Sequence, residues 1–197
     1  MSGTKRVERV DLETPLELEE LEPLRSGDVV LLHGVLYTAR DAAHARIKEA
    51  VENGGPLPFD PEGQVVYFTG PAPARPGSPL GPAGPTTASR MDPYSPYLIE
   101  RGLKGMVGKG ARSEEVRRAM REHGCVYFGA VEGTAALLAD RVKRAEVVAY
   151  EDLGPEAIHR LVVEEFPVVV IDDLHGGDLY SEGRERWRRA SAQGGPG

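Results

Sequence analysis

The sequence predicts an α/β fold, and three observations carry that prediction. Apolar runs of strand length recur along the 197 residues, as in DVVLLH at 28–33, QVVYFT at 64–69, CVYFGA at 125–130 and FPVVVI at 166–171. Between them lie stretches whose apolar residues recur at helical spacing, and the two patterns alternate. The 24 Gly and 16 Pro gather at the joints, most densely between Gly70 and Pro85, where they mark turns rather than element interiors.

Taken in order, Arg6–Val10 is a candidate first strand, followed by an acidic, leucine-bearing stretch from Leu12 to Leu24. Asp28–His33 is a buried strand. Asp41–Asn53 is a helix with Ala43, Ile47 and Val51 on one face, ended by Gly54-Gly55. Gln64–Thr69 is the next strand. The segment Gly70–Pro85 holds neither a helix nor a central strand, because proline lacks a donor and fixes φ. Helix is expected again from Asp92 to Arg101, where Asp92-Pro93 and Ser95-Pro96 resemble N-cap and N1 pairs.

Met106-Val107 reads as a short strand, and Ser113 as the cap of a helix Glu114–His123 whose Glu114 and Glu115 suit its positive end. Then come a strand Cys125–Ala130, a helix Thr134–Val142, a strand Glu146–Tyr150, a short helix Pro155–Leu161 and a last buried strand Phe166–Ile171. The flanks of the proline-rich segment are short for independent folds, so residues 1–180 are expected to form a single domain. Residues 181–197 are polar, end in Gly-Gly-Pro-Gly, and are expected to lack fixed structure.

Composition excludes several function classes. A net charge of −7 opposes nonspecific nucleic-acid binding, which draws its affinity from neutralised phosphates. No run of eighteen apolar residues offers a membrane span, and the N-terminus lacks the apolar stretch of a secretory signal, so a cytoplasmic setting is expected. The one cysteine, Cys125, rules out an internal disulfide or a cluster held by this chain's own thiolates. An acidic chain that binds a small anion must gather a few cations in one place.

Three turns offer such cations. Arg40 stands where a helix begins, an unfavourable place unless an anion compensates; it reads equally as an anion ligand or a surface ion-pair partner. His44, four residues on, shares its face and reads more simply as a packing residue. In Gly84-Pro85-Thr86-Thr87-Ala88-Ser89-Arg90-Met91-Asp92, a helical turn makes Thr86 and Arg90 i, i+4 neighbours. In Gly105-Met106-Val107-Gly108-Lys109-Gly110, glycines on either side of Lys109 let backbone approach a ligand, although the P-loop pattern is absent. Strand C-terminal ends share an edge in such a fold, so Arg40, Arg90 and Lys109 are expected to converge on a substrate with two carboxylates. Asp172, Asp173 and His175 suggest a weaker metal-site alternative. Cys125 reads as a buried structural thiol, and His33, His123, His159 and Trp187 carry no distinctive signal.

The stretches GDVVLLHGVLYTARDAAHARI from Gly27, YFTGPAPARPGSPLGPAGPTTASRMDPY from Tyr67, GMVGKG from Gly105 and the segment from Ala136 to Tyr180 resemble the β subunit, or C-terminal domain, of class I fumarate hydratases and tartrate dehydratases. The resemblance implies a swivelling domain of β/β/α layers docked on an α-type subunit in a hetero-oligomer. It implies a [4Fe–4S] cluster held by that partner, with one iron acting as a Lewis acid on the hydroxyl. It further implies that Arg40, Arg90 and Lys109 bind the dicarboxylate and that Thr86 joins a partner acid in proton transfer at carbon. His44, Thr87 and Asp92 then support the site. The activity implied is hydration of fumarate to malate; the alternatives are tartrate dehydration and a non-catalytic dicarboxylate-binding regulatory subunit.

Overall fold

The computed structural model describes residues 9–130 and 135–192. Among them, seven strands make one mixed sheet: β1 (Arg9–Glu13), β2 (Val29–Thr38), β3 (Val65–Tyr67), β4 (Gly105–Gly108), β5 (Val126–Gly129), β6 (Val142–Ala149) and β7 (Ile158–Asp172). Six α-helices accompany them: α1 (Leu18–Leu21), α2 (Asp41–Glu52), α3 (Ser95–Ile99), α4 (Glu114–His123), α5 (Ala135–Asp140) and α6 (Leu179–Ala192). The α/β class expected from the alternating pattern is therefore what the chain adopts.

Strands β1 to β5 run parallel to their neighbours, whereas β7 runs antiparallel to β2, β5 and β6. Because β7 pairs with both β2 and β5, the ladder β2–β3–β4–β5–β7 returns to β2 and closes. Strand β1 lies along the first half of β2 and β6 along the first half of β7. Closure leaves fewer open edges for stray pairing.

The ring sorts side chains by alternation. Val65, Tyr67, Val107, Phe128 and Phe166 belong to a core enclosed by strands, while Val66, Phe68, Met106 and Tyr127 face a second core completed by Ala43 and Ile47 of α2 and Val116 and Met120 of α4. Strand packs on strand, and helix packs on the outer strand face. Both faces of β3 to β5 are covered, which explains runs such as VVYF with no polar alternation.

The proline-rich segment is an out-and-back excursion. Ala72 N–H donates to Pro82 O at 3.0 Å, and the buried Tyr67 hydroxyl donates to Ala83 O at 2.5 Å. Thr69 Oγ1 donates to Gly84 O at 2.8 Å, and Thr86 N–H to Phe68 O at 2.7 Å. The chain that leaves the end of β3 thus returns to the same place, carrying Thr86 with it.

Several boundaries differ from the sequence expectation. The helix expected at Pro155–Leu161 is absent: a 3-10 turn covers Glu151–Glu156, and Ile158–Leu161 begins β7. That strand is flanked by β2 and β6, and pairing on both sides outweighs local helix propensity. The polar stretch from Ser181, expected to lack fixed structure, continues α6 to Ala192. Asp178 caps its start, accepting from Tyr180 N–H at 2.9 Å and Ser181 N–H at 3.2 Å, and Leu179 and Tyr180 pack on the second core. Asp92-Pro93 does not start a helix. A 3-10 turn spans Ala88–Met91, and α3 opens at Ser95, whose hydroxyl donates to Met91 O at 2.9 Å instead of capping. The expected strand start at Arg6 and helix start at Thr134 lie outside the described residues, as does 193–197.

Candidate functional site

Three loops follow the C-terminal ends of neighbouring parallel strands. Arg40 follows β2, Thr86 to Arg90 follow β3 and its excursion, and Lys109 follows β4. Their backbones are laced together: Lys109 N–H donates to Thr86 O at 3.2 Å, Ala88 N–H donates to Lys109 O at 2.8 Å, and Thr87 and Lys109 form a parallel bridge. Thr86 immediately precedes this bridge and lies outside the 3-10 turn, which begins at Ala88. The i, i+4 relation with Arg90 is therefore not realised, because β-branched Thr86 and Thr87 extend the sheet before the turn begins at Ala88.

Arg90 is joined to the first loop by an ion pair with Asp41 Oδ2. Asp41 is the first residue of α2 and Arg40 its N-cap, so the positive end of that helix, two guanidiniums and a carboxylate meet. Asp41 Oδ1 and Arg40 Nε are buried with no hydrogen-bond partner among the described residues. Arg40 Nη2 also lies 3.6 Å from Glu156 Oε1. Lys109 and Thr87 border a cleft of about 700 Å³, whose other walls include Gly129, Ile171 and Tyr180. Arg40 and Arg90 stand outside this cleft.

His44 is 1% exposed, with its ring edge-on to Phe68 at 5.5 Å. Its Nδ1 contacts Arg40 O at 2.9 Å; a carbonyl only accepts, so Nδ1 carries the proton. Burial, then the nearby Arg112, holds its pKa down at about 4, so the ring is neutral near pH 7. His44 therefore packs and fixes the Arg40 backbone.

Asp92 is more deeply built in than its sequence context indicates. Its Oδ1 accepts Arg112 Nε–H and its Oδ2 accepts Ser113 N–H, each at 2.8 Å. The Arg112 side chain is fully buried, donates to Ser95 Oγ at 2.5 Å, and lies 5.1 Å and 5.3 Å from the Phe68 and Tyr127 ring centres. This pair ties the Arg90 turn to the start of α4. Sequence reasoning missed Arg112, which reads as one more surface cation in KGARSEE; the signal available was an Asp92 with no assigned partner.

The metal-site alternative does not assemble. Asp173 accepts from Ser26, His175 and Gly177 N–H groups at 2.8–2.9 Å, closing its own turn, and His175 Nε2 contacts Glu22 O. Among the described residues, no three His, Cys, Asp or Glu side chains gather as metal ligands. Asp172 pairs with Arg117 at 3.3 Å, and burial raises its pKa to about 6. Cys125 is fully buried, and desolvation pushes its thiol up to about 12. No described helix is long and apolar enough to cross a membrane.

The family model described as "Fumarase C-terminus" matches residues 1–183. Fumarate hydratase 2 of Leishmania major is 40% identical over 178 residues, covering 88% of this chain and 31% of that protein. The anaerobic class I fumarate hydratase of Escherichia coli is 38% identical over 185 residues, covering 92% and 34%. A Methanocaldococcus jannaschii protein named for L(+)-tartrate dehydratase subunit beta is 37% identical over 173 residues, covering 85% and 89%. The chain spans about a third of the length of the fumarate hydratases it matches. With a family model matching nearly its whole length, the chain belongs to the fumarase C-terminal family.

Proposed function

We propose that this chain is the β-type part of a heteromeric hydro-lyase that adds water reversibly to fumarate, giving malate, and is active only with an α-type partner. The observation that carries the proposal is the row of cation-bearing loops on adjacent parallel strands, cross-linked through Arg90 and Asp41. Fumarate presents two carboxylates. Arg40 and Arg90 offer planar, two-pronged donors for them, and Lys109 adds a compact charge. When a proton leaves the carbon beside a carboxylate, negative charge spreads onto that carboxylate, and the same cations stabilise it. Thr86 Oγ1 handles the proton at carbon. A neutral hydroxyl is a weak base, so its base strength comes from an acidic side chain of the partner. Thr87, His44 and Asp92 keep the three loops in register.

This family implies a [4Fe–4S] cluster, and the chain's own donor set does not fit one. Its sequence holds a single cysteine, and that thiol is buried and held in its neutral form. The proposal assigns the cluster to the partner, in a reducing cytoplasm. A second reading, tartrate dehydration, is favoured by the Methanocaldococcus jannaschii relative, which is covered over 89% of its own length. Assaying both substrates with the assembled complex separates the two.

In that complex, Arg90→Met or Lys109→Met is expected to lower kcat/KM at least about tenfold, since a lost charged hydrogen bond costs roughly 1.5–3 kcal/mol. A change under about twofold removes that residue from the site.

A further inference from the structure

Glu156 closes the 3-10 turn before β7 and reaches the start of α2, 114 positions away in sequence. Its Oε2 accepts the Ala42 N–H at 3.0 Å, and its Oε1 lies 3.6 Å from Arg40 Nη2. One carboxylate thus satisfies a free donor at the helix start and pairs with the guanidinium at the same end. The Arg40 and Glu156 side chains are 27% and 26% exposed, so the pair is screened less than a surface pair. Arg40 is confined on other sides too. A Cβ at Gly70 would lie 3.0 Å from Arg40 Cδ and 3.1 Å from both its Nη1 and Pro155 O. The Arg40 carbonyl accepts from His44 N–H and His44 Nδ1, each at 2.9 Å.

We infer that Glu156 is a positioning residue for substrate binding, fixing the Arg40 guanidinium before the substrate carboxylate arrives. The inference rests on Arg40 being a carboxylate ligand, as proposed above. A free arginine samples many rotamers, and ordering it during folding removes that entropic cost from the binding step. Arg40 Nε is buried and has no hydrogen-bond partner among the described residues, so Glu156 is the guanidinium's recorded anionic neighbour.

Charge and geometry give opposite signs here, which makes the inference testable. Glu156 is an anion beside a site for a dianion, so through-space repulsion alone predicts that Glu156→Gln tightens binding. Positioning predicts that it weakens binding. The experiment measures KM and kcat for fumarate on the chain assembled with its partner, for Glu156→Gln, Arg40→Met and the double variant. Glu156→Gln is expected to raise KM about fivefold with kcat within about twofold, and to add nothing in the Arg40→Met background. An unchanged or lowered KM, or a full additional loss in the double variant, overturns the inference while leaving Arg40 in the site. Arg40→Met with kcat/KM within about twofold of the parent removes Arg40 from the site, and the inference falls with it. Should Glu156→Gln fail to assemble, Glu156→Asp keeps the charge but shortens the reach; it is expected to raise KM similarly, and an unchanged KM overturns the inference.

Discussion

His44 combines burial, a fixed tautomer and contact with Arg40. Its pKa near 4 in the folded chain lies below the 6.5 of an exposed histidine, so the unfolded chain binds the extra proton between those values. Stability from this group is complete above about pH 6.5 and is lost as pH falls toward 4. Asp172 acts in the opposite sense: its pKa is raised to about 6, so its contribution is lost as pH rises through that value. Comparing the parent with His44→Gln isolates the histidine. The stability advantage of the parent is expected to shrink by about 3 kcal/mol between pH 7 and pH 4, read by urea denaturation. A pH-independent gap contradicts the burial argument. At this scale, the placement of Arg40, Thr86, Arg90 and Lys109 in loops after neighbouring strands was legible, because turn chemistry and charge mark those positions locally. Asp41, Glu156 and Arg112 were not, because their partners lie 49, 114 and 20 positions away and only the folded chain pairs them.

The elements show why the lysine loop has its sequence. Gly108 ends β4 where a Cβ would stand 2.8 Å from Phe68 Cδ2 and 3.2 Å from the Tyr127 hydroxyl, so Phe68 and Tyr127 must give way to any side chain there. Gly110 has φ +82°, a left-handed conformation that glycine adopts without strain. Gly108→Ala is expected to destabilise the chain by about 1–3 kcal/mol through overpacking. Because it also shifts the backbone ahead of Lys109, activity of the assembled complex is expected to fall at temperatures where the variant is still folded. Unaltered thermal stability contradicts the packing argument. Helices α2 and α4 were legible to within a residue from periodicity and caps. The start of β7 was not, because its strand character comes from pairing with β2 and β6 rather than from its own residues. The helix α6 was hidden by its polarity, since among its described side chains only Leu179 and Tyr180 at its start join the core.

At the scale of the molecule, the closed ring β2–β3–β4–β5–β7 gives the loops a rigid base, and the proline-rich excursion returns Thr86 to the end of β3. The α/β class followed from alternating patterns, whereas closure did not: nothing local records that one strand pairs on three neighbours. The single cysteine of the sequence is buried and held in its neutral form, so the proposed function places iron chemistry on a second chain. The most direct measurement is fumarate hydration by the purified chain and by the chain assembled with its partner, with iron and sulfide determined on both. An iron-free, inactive isolated chain and an active, iron- and sulfide-bearing complex are expected. An isolated chain that carries iron and sulfide and hydrates fumarate contradicts the proposed function.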